Sequence, residues 1–142
     1  MSTGLSGNYL VRRLNSAAAD ARRDFPRARD FFEIRRQALK LRYWPAPHTT
    51  EPSGHVIDLD WSYIRALPGL DIGELRVDDE IGGPGNIRIL FLVGPADRRF
   101  PMRCFWILTV FPKKRDDFTS HQLDSFAARR QIVLARFYGP SS

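Results

Sequence analysis

Two adjacent lysines, Lys113 and Lys114, follow an apolar run in a chain whose cations are otherwise almost all arginine, 19 Arg against three Lys. A compact ammonium that can shift its pKa is not interchangeable with a delocalised guanidinium. The pair is therefore a candidate for proton transfer or charge stabilisation at an anionic centre, beside the plain alternative of two solvated cations at a strand end. Arg88 is the one charge in the otherwise apolar run Ile87–Val93, and Arg76 alternates with Leu75 and Val77 on the same side as Glu74. Further arginines gather at Arg98, Arg99 and Arg103, at Arg115, and at Arg129 and Arg130. His48 and His55 lie in a proline-broken loop, where isolated histidines are usually solvated. The single Cys104 excludes an internal disulfide framework, and no CxxC or Cys/His cluster offers a structural zinc site, so neither metal nor cofactor is expected.

The charge balance points the same way. The net charge is +6, which favours polyanions. It is segregated: residues 1–49 carry +6, residues 50–80 carry −6 and residues 81–142 carry +6. Two basic segments around an acidic one suggest a cationic face with an acidic counter-surface, or else a uniformly solvated Arg-rich exterior. With 142 residues, 43% of them hydrophobic, the chain suits one domain with a true core. The longest apolar stretch, residues 104–111, is far short of the roughly 20 residues of a membrane span. No secretion signal is evident in residues 1–15. A single intracellular, cytoplasmic domain over 9–139 is expected, with 1–8 as a flexible tail.

These residues must be positioned by an α+β scaffold: N-terminal helices, a small antiparallel sheet of three to five strands and a C-terminal helix. Residues 9–43 read as helical, in two pieces or one interrupted near Pro26. Asp24 is a candidate cap of the second piece, with Pro26 in its first turn. Phe25, Ala28, Phe32, Leu39 and Tyr43 make its core-facing stripe. Pro45, Pro47, Pro52 and Gly54 mark a loop, and the text from Val56 to a turn at residues 67–69 is acidic and mixed. Strands follow at Ile72–Val77, Ile87–Val93 and residues 104–111, the last buried on both faces. Residues 82–85 lack the spacing of a phosphate-binding loop and precede a strand, so they read as a hairpin turn. Residues 94–102 form a longer hairpin loop. Thr119, with Gln122 three residues on, opens the last helix as a capping box. Leu123, Phe126, Ala127, Arg130, Leu134 and Phe137 share one side of it, and Gly139-Pro140 stop it.

The text of residues 67–136 resembles a known family. Leu67-Pro68-Gly69, then Gly73-Glu74-Leu75-Arg76-Val77 and Asn86-Ile87-Arg88-Ile89-Leu90-Phe91, are similar to the "ELR … (Y/F)R(I/V)LY" strands of bacterial RelE/HigB-type toxins. Ile107-Leu108-Thr109-Val110-Phe111-Pro112-Lys113-Lys114 resembles that family's "LL(H/T)xFxKK" strand end, and Ala127, Arg129 and Arg130 its closing "A…R" helix. The phage-derived HigB branch is the nearer one. The Pro that commonly begins the family's final helix is replaced here by Phe118-Thr119-Ser120.

The resemblance implies a RelE-like fold and the toxin of a type II toxin–antitoxin pair. Such a protein is a metal-independent endoribonuclease that cuts mRNA, usually on the ribosome, and inhibits translation; its antitoxin is a small helix-turn-helix protein. On that reading a 2′-hydroxyl loses its proton, attacks the neighbouring phosphate and leaves a 2′,3′-cyclic phosphate. Lys113 or Lys114 serves as base or charge stabiliser, and Arg76 and Arg88 hold the phosphate. The remaining arginines, Arg98, Arg99, Arg103, Arg115, Arg129 and Arg130, bind RNA. Protonation of the leaving 5′-oxygen falls to His121 or Tyr138, the nearest candidates for the family's C-terminal Tyr or His. Four cations with little acidic relief are expected to repel one another until a phosphodiester arrives. Arg76 is alternatively paired with Glu74 or with residues 78–80 and then structural. Trp61, Trp106 and Phe111 are read as core rather than as base-stacking platforms. The rival reading is a non-catalytic module binding RNA or ribosome through phosphates; a protein acting only through an acidic partner is a third. No helix-turn-helix pattern supports a DNA-binding regulator.

Overall fold

The computed structural model describes residues 9–45, 48–50, 53–54, 56–77, 87–96, 103–113 and 117–139, so the tail at 1–8 and the turn at 82–85 lie outside the described residues. The elements run β1 (Leu10–Arg13), α1 (Asn15–Asp24), α2 (Ala28–Ala38), a short 3-10 helix (Leu39–Tyr43), β2 (His48–Thr50), β3 (Val56–Asp58), β4 (Trp61–Tyr63), β5 (Ile72–Val77), β6 (Ile87–Val93), β7 (Cys104–Pro112) and α3 (Ser120–Phe137). Five strands form one sheet in the order β1-β7-β6-β5-β4, and β2 and β3 form a separate antiparallel pair. The α+β class, with N-terminal helices, the sheet and a closing helix, is as the sequence predicts.

The centre of the sheet follows from composition. β6 and β7 are apolar enough to be buried on both faces, β5 alternates Leu75 and Val77 with Glu74 and Arg76, and each pairs antiparallel with the next. Gly73 faces Phe91 across this ladder, and a Cβ there would lie 2.5 Å from the Phe91 ring, so the ring's position requires glycine. α3 covers one face, where Phe137 stacks on Trp106 at 4.3 Å and Phe126 on Phe111 at 5.9 Å. Its capping box forms as expected: Gln122 N–H donates to the Thr119 hydroxyl at 3.1 Å, and Thr119 N–H to the Gln122 side chain at 2.9 Å. The other face packs Phe105 against Tyr9 and Trp44 and joins Ile34 and Ala21 of the helices in one core.

The N-terminal reading needs correction. Residues 10–13 are not helical but form a strand parallel to β7, entered by Leu10 N–H donating to the Arg103 carbonyl at 3.0 Å. A helix here would leave the edge of the most buried strand with unpaired backbone groups. The break near Pro26 is present, but the cap of α2 is Arg27, not Asp24, and Pro26 precedes the cap. Proline excludes its predecessor from the helical region, and Phe25 sits at φ −131°, ψ 72°. The helical phase is therefore reset after the break. The buried face of α2 is Ile34 and Ala38 with half-buried Phe31, while Ala28 is exposed and Phe32 is 67% exposed. β2, β3 and β4 replace expected loop and mixed text; three-residue strands are too short to carry a periodic signal. Among the described residues no helix is long and apolar enough to cross a membrane.

One polar cluster joins three elements. Leu108 has no partner on β6, because the register shifts between Leu90 and Phe91, and it forms a bulge. Arg129 of α3 donates to the Leu108 carbonyl at 2.7 Å and also to Asp20 of α1, whose carboxylate accepts from the Thr109 hydroxyl at 2.7 Å. Removing Asp20 leaves the Thr109 hydroxyl without its acceptor and the Arg129 guanidinium with the Leu108 carbonyl but no charge partner. Asp20→Ala is expected to lower stability by about 3 kcal/mol in urea denaturation, the low end for a buried pair because Arg129 keeps 21% of its side chain in water.

Candidate functional site

Arg76 and Arg88 are Cα partners across β5 and β6, and Phe111 of β7 is the partner of Arg88. By alternation Glu74 shares this face, and Lys113, two residues beyond Phe111, lies where the strand runs out. The sheet thus brings Arg76, Arg88 and Lys113 together. Lys114 lies outside the described residues.

The electrostatics differ from the expected cluster of unrelieved cations. Carboxylates are interleaved with the arginines. Arg88 Nε lies 2.9 Å from Glu74 Oε1, with the two side chains only 14% and 9% exposed. The contact is close but not aligned as a hydrogen bond, so neither atom has a hydrogen-bond partner. One terminal nitrogen of Arg88 reaches the Ile87 carbonyl at 3.5 Å, the outer limit of such a bond. Arg76 donates to Asp60 Oδ1 at 3.1 Å and to the Ser62 hydroxyl at 2.9 Å. Its partner is thus Asp60 rather than Glu74, and residues 78–80 lie outside the described residues. The Lys113 ammonium sits 4.4 Å above the Phe118 ring.

Over this face runs a groove of about 610 Å³, lined by Ser62, Glu74, Arg76, Lys113, Asp117 and Phe118 among others. Its floor holds a carboxylate that is nine-tenths buried and pressed against a guanidinium, and its wall carries an ammonium and a second guanidinium. Such a set can accept a proton, hold an anion by directed N–H groups and screen charge that develops on it. Glu74 is the residue that sequence reasoning did not assign. Its signal was present, as the alternating partner of Arg76 on a strand beside the sole charge of β6, but only the register reveals that the two meet.

The other candidates are dispersed. Arg129 is held by Asp20 and the Leu108 carbonyl, Arg130 donates to the Leu70 carbonyl at 2.8 Å, and Arg103 donates to the Gly94 carbonyl at 2.9 Å. Each has a structural contact. Arg98, Arg99 and Arg115 lie outside the described residues. His121 is exposed in the first turn of α3, three residues after Phe118. The Tyr138 hydroxyl accepts from Trp106 Nε1 at 2.9 Å. Trp106 and Phe111 are five residues apart on β7, about 16 Å, so the fold does not bring Tyr138 to Lys113. Trp106 is core, and Phe111 and Trp61 pack on Phe126 and Trp44. Among the described residues no three His, Cys, Asp or Glu side chains gather as a metal site.

Cys104 begins β7 near Tyr138. Burial pushes its thiol pKa up, while Arg12 and a hydrogen bond with Tyr138 pull it down, and burial prevails. Its side chain has no exposure at all. In the native protein at pH 8, Cys104 is expected to stay silent to a thiol-reactive chromogenic disulfide and to react stoichiometrically once denaturant is added. Immediate reaction of the native protein would contradict the packing of β7.

No family model, curated protein or solved structure matches the chain, so what it does has to follow from its own residues.

Proposed function

We propose that the chain is a RelE/HigB-like toxin, an endoribonuclease that cleaves mRNA at the ribosome without a metal ion and so halts translation in the cytoplasm. Its partner would be a helix-turn-helix antitoxin. The observation that carries the reading is the Glu74 carboxylate, nine-tenths buried on the floor of a groove whose walls bear Arg76 and Lys113. The motifs of residues 67–136 and the order of helices, sheet and closing helix also support it.

The geometry shifts the roles. A lysine was the expected base, but the groove holds a carboxylate better placed to accept a proton. Glu74 takes the proton of the 2′-hydroxyl, whose oxygen bonds to phosphorus as the bond to the 5′-oxygen breaks, leaving the 2′,3′-cyclic phosphate. Arg88 reaches Glu74 through Nε and the Ile87 carbonyl through one weak contact, so it retains donors for a non-bridging phosphate oxygen. Arg76 can exchange Asp60, which is 65% exposed, for phosphate at little cost. The Lys113 ammonium screens the developing charge or protonates the 5′-oxygen, with exposed His121 the other donor on this side.

Primer extension on a message from expressing cells tests the reading, with wild type beside Glu74→Gln and Lys113→Ala. New 5′ ends inside the coding region are expected with wild type, falling about 10²- to 10⁴-fold for the loss of an acid–base group. Intact message together with unimpaired growth in the wild type would overturn the nuclease reading.

A non-catalytic RNA- or ribosome-binding protein is the second reading. It is favoured by the finding that Arg76 and Arg88 already carry carboxylate partners, which weakens both as phosphate clamps. That protein would bind an RNA oligonucleotide with an affinity falling steeply as salt rises, and the oligonucleotide would stay whole.

A further inference from the structure

On the face of the sheet opposite the Glu74 groove lies a second cavity, of about 260 Å³, between β1, α1, α2 and β7. Its walls are apolar, built from Val11, Phe31, Ile34, Leu39, Ile107 and Val110, with alanines of α1 and α2 filling the spaces between them. The alanines matter because they leave the volume open. Ala18 on α1 is almost completely covered and lines the cavity with nothing larger than a methyl. A space of about 150 Å³ is enough to enclose a benzene ring. This one therefore admits a larger body.

Charge distinguishes this cavity from a packing defect. Arg13 and Arg35 also line it, and both are exposed; Arg12 lines it too, but its guanidinium lies over the Trp106 ring at 5.8 Å, on the α3 side of the sheet. Of the four acids from β1 through α2, three are held locally, Asp20 by Arg129 and Thr109, Asp24 by Arg23, and Glu33 by Arg36 and Gln37, and the fourth, Asp30, is half-buried in the first turn of α2. None of those three carboxylates pairs with Arg13 or Arg35. An apolar chamber beneath a cationic rim selects a molecule of matching asymmetry, an apolar body with one anionic end.

We infer that this cavity is a binding site for a small amphipathic carboxylate, with the apolar chain among Ile34, Ala18 and Val110 and the carboxylate at Arg13 and Arg35. This site is independent of the proposed nuclease groove and stands or falls without it. The occupant is a small molecule rather than a protein segment, because the volume suits a single chain of about ten carbons and the walls on three sides are core elements.

Decanoate is the probe, followed by isothermal titration calorimetry and by chemical-shift changes of the full chain, with decanol as its uncharged counterpart. Saturable 1:1 binding of decanoate is expected, with shifts centred on α1 and α2. Arg13→Glu with Arg35→Glu alters only exposed side chains and should weaken decanoate roughly tenfold while leaving decanol unchanged. Ala18→Leu should abolish both ligands by filling the chamber, with thermal unfolding confirming a folded protein. Failure of decanoate to saturate, shifts centred on the Glu74 groove, or equal binding by the charge-reversed variant would each overturn the proposal.

Discussion

The bulge at Leu108 is the constraint around which the fold is arranged. An extra residue in β7 turns one carbonyl out of the ladder, and that carbonyl needs a donor because β7 is buried on both faces. Arg129 supplies it from α3, and Asp20 of α1 compensates the charge that Arg129 brings. Two helices on different sides of the sheet are thereby tied to the same point of one strand. Everything else on the sheet is then measured from that point. Thr109 binds Asp20, Phe111 meets Phe126 and faces Arg88, and Lys113 emerges where the strand ends.

The same strand separates the Glu74 groove from the cavity of α1 and α2. The side chains that alternate towards α3 are Trp106, Thr109 and Phe111, and beside them the groove floored by Glu74 opens. The side chains turned the other way, Ile107 and Val110, floor the cavity of α1 and α2. Both openings carry arginine at their margins, yet for different reasons. In the groove the guanidiniums meet carboxylates of β5 and of the segment before β4; at the cavity Arg13 and Arg35 stand at the solvent surface. Among the described residues the arginines at the two sites thus differ: Arg76 and Arg88 are paired with carboxylates, and Arg13 and Arg35 are exposed.

Much of this was legible in the sequence where the signal was long and local. β6 and β7 are nearly continuous apolar runs, β5 alternates around Glu74 and Arg76, and the capping box of α3 is written in Thr119 and Gln122. β1 was not legible, because Leu10-Val11-Arg12-Arg13 becomes a strand only by pairing with residues 104–107, more than ninety positions away. The stripe of α2 failed because Pro26 resets the helical phase, so positions counted from Phe25 do not carry over to Phe32. The segregated charges misled in a similar way. Within the described part of the acidic segment, Asp60 and Glu74 run beside the arginines rather than opposite them, because β4, β5 and β6 are neighbours. The opposition of Arg76 and Arg88 was readable from hairpin geometry. The contact of Glu74 with Arg88 depends on side-chain direction and was not.

Stability does not account for Glu74 and Arg88. A buried ion pair must recover the desolvation of both charges, and well-packed apolar replacements of similar volume are commonly no less stable. The sheet demonstrates the alternative within the same strands, since Leu90 shares the face of Arg88 and is wholly buried. Here the pair lacks even an aligned hydrogen bond between Nε and Oε1, so its Coulomb attraction must offset the desolvation without that help. The arrangement is intelligible if the pair is a resting state rather than a final one. An anion that reached the terminal nitrogens of Arg88, of which one makes a 3.5 Å contact to the Ile87 carbonyl, would loosen its hold on the carboxylate. Glu74 would then be a freer base at the moment when a phosphate lies beside it, and its burial would limit the water competing for the proton.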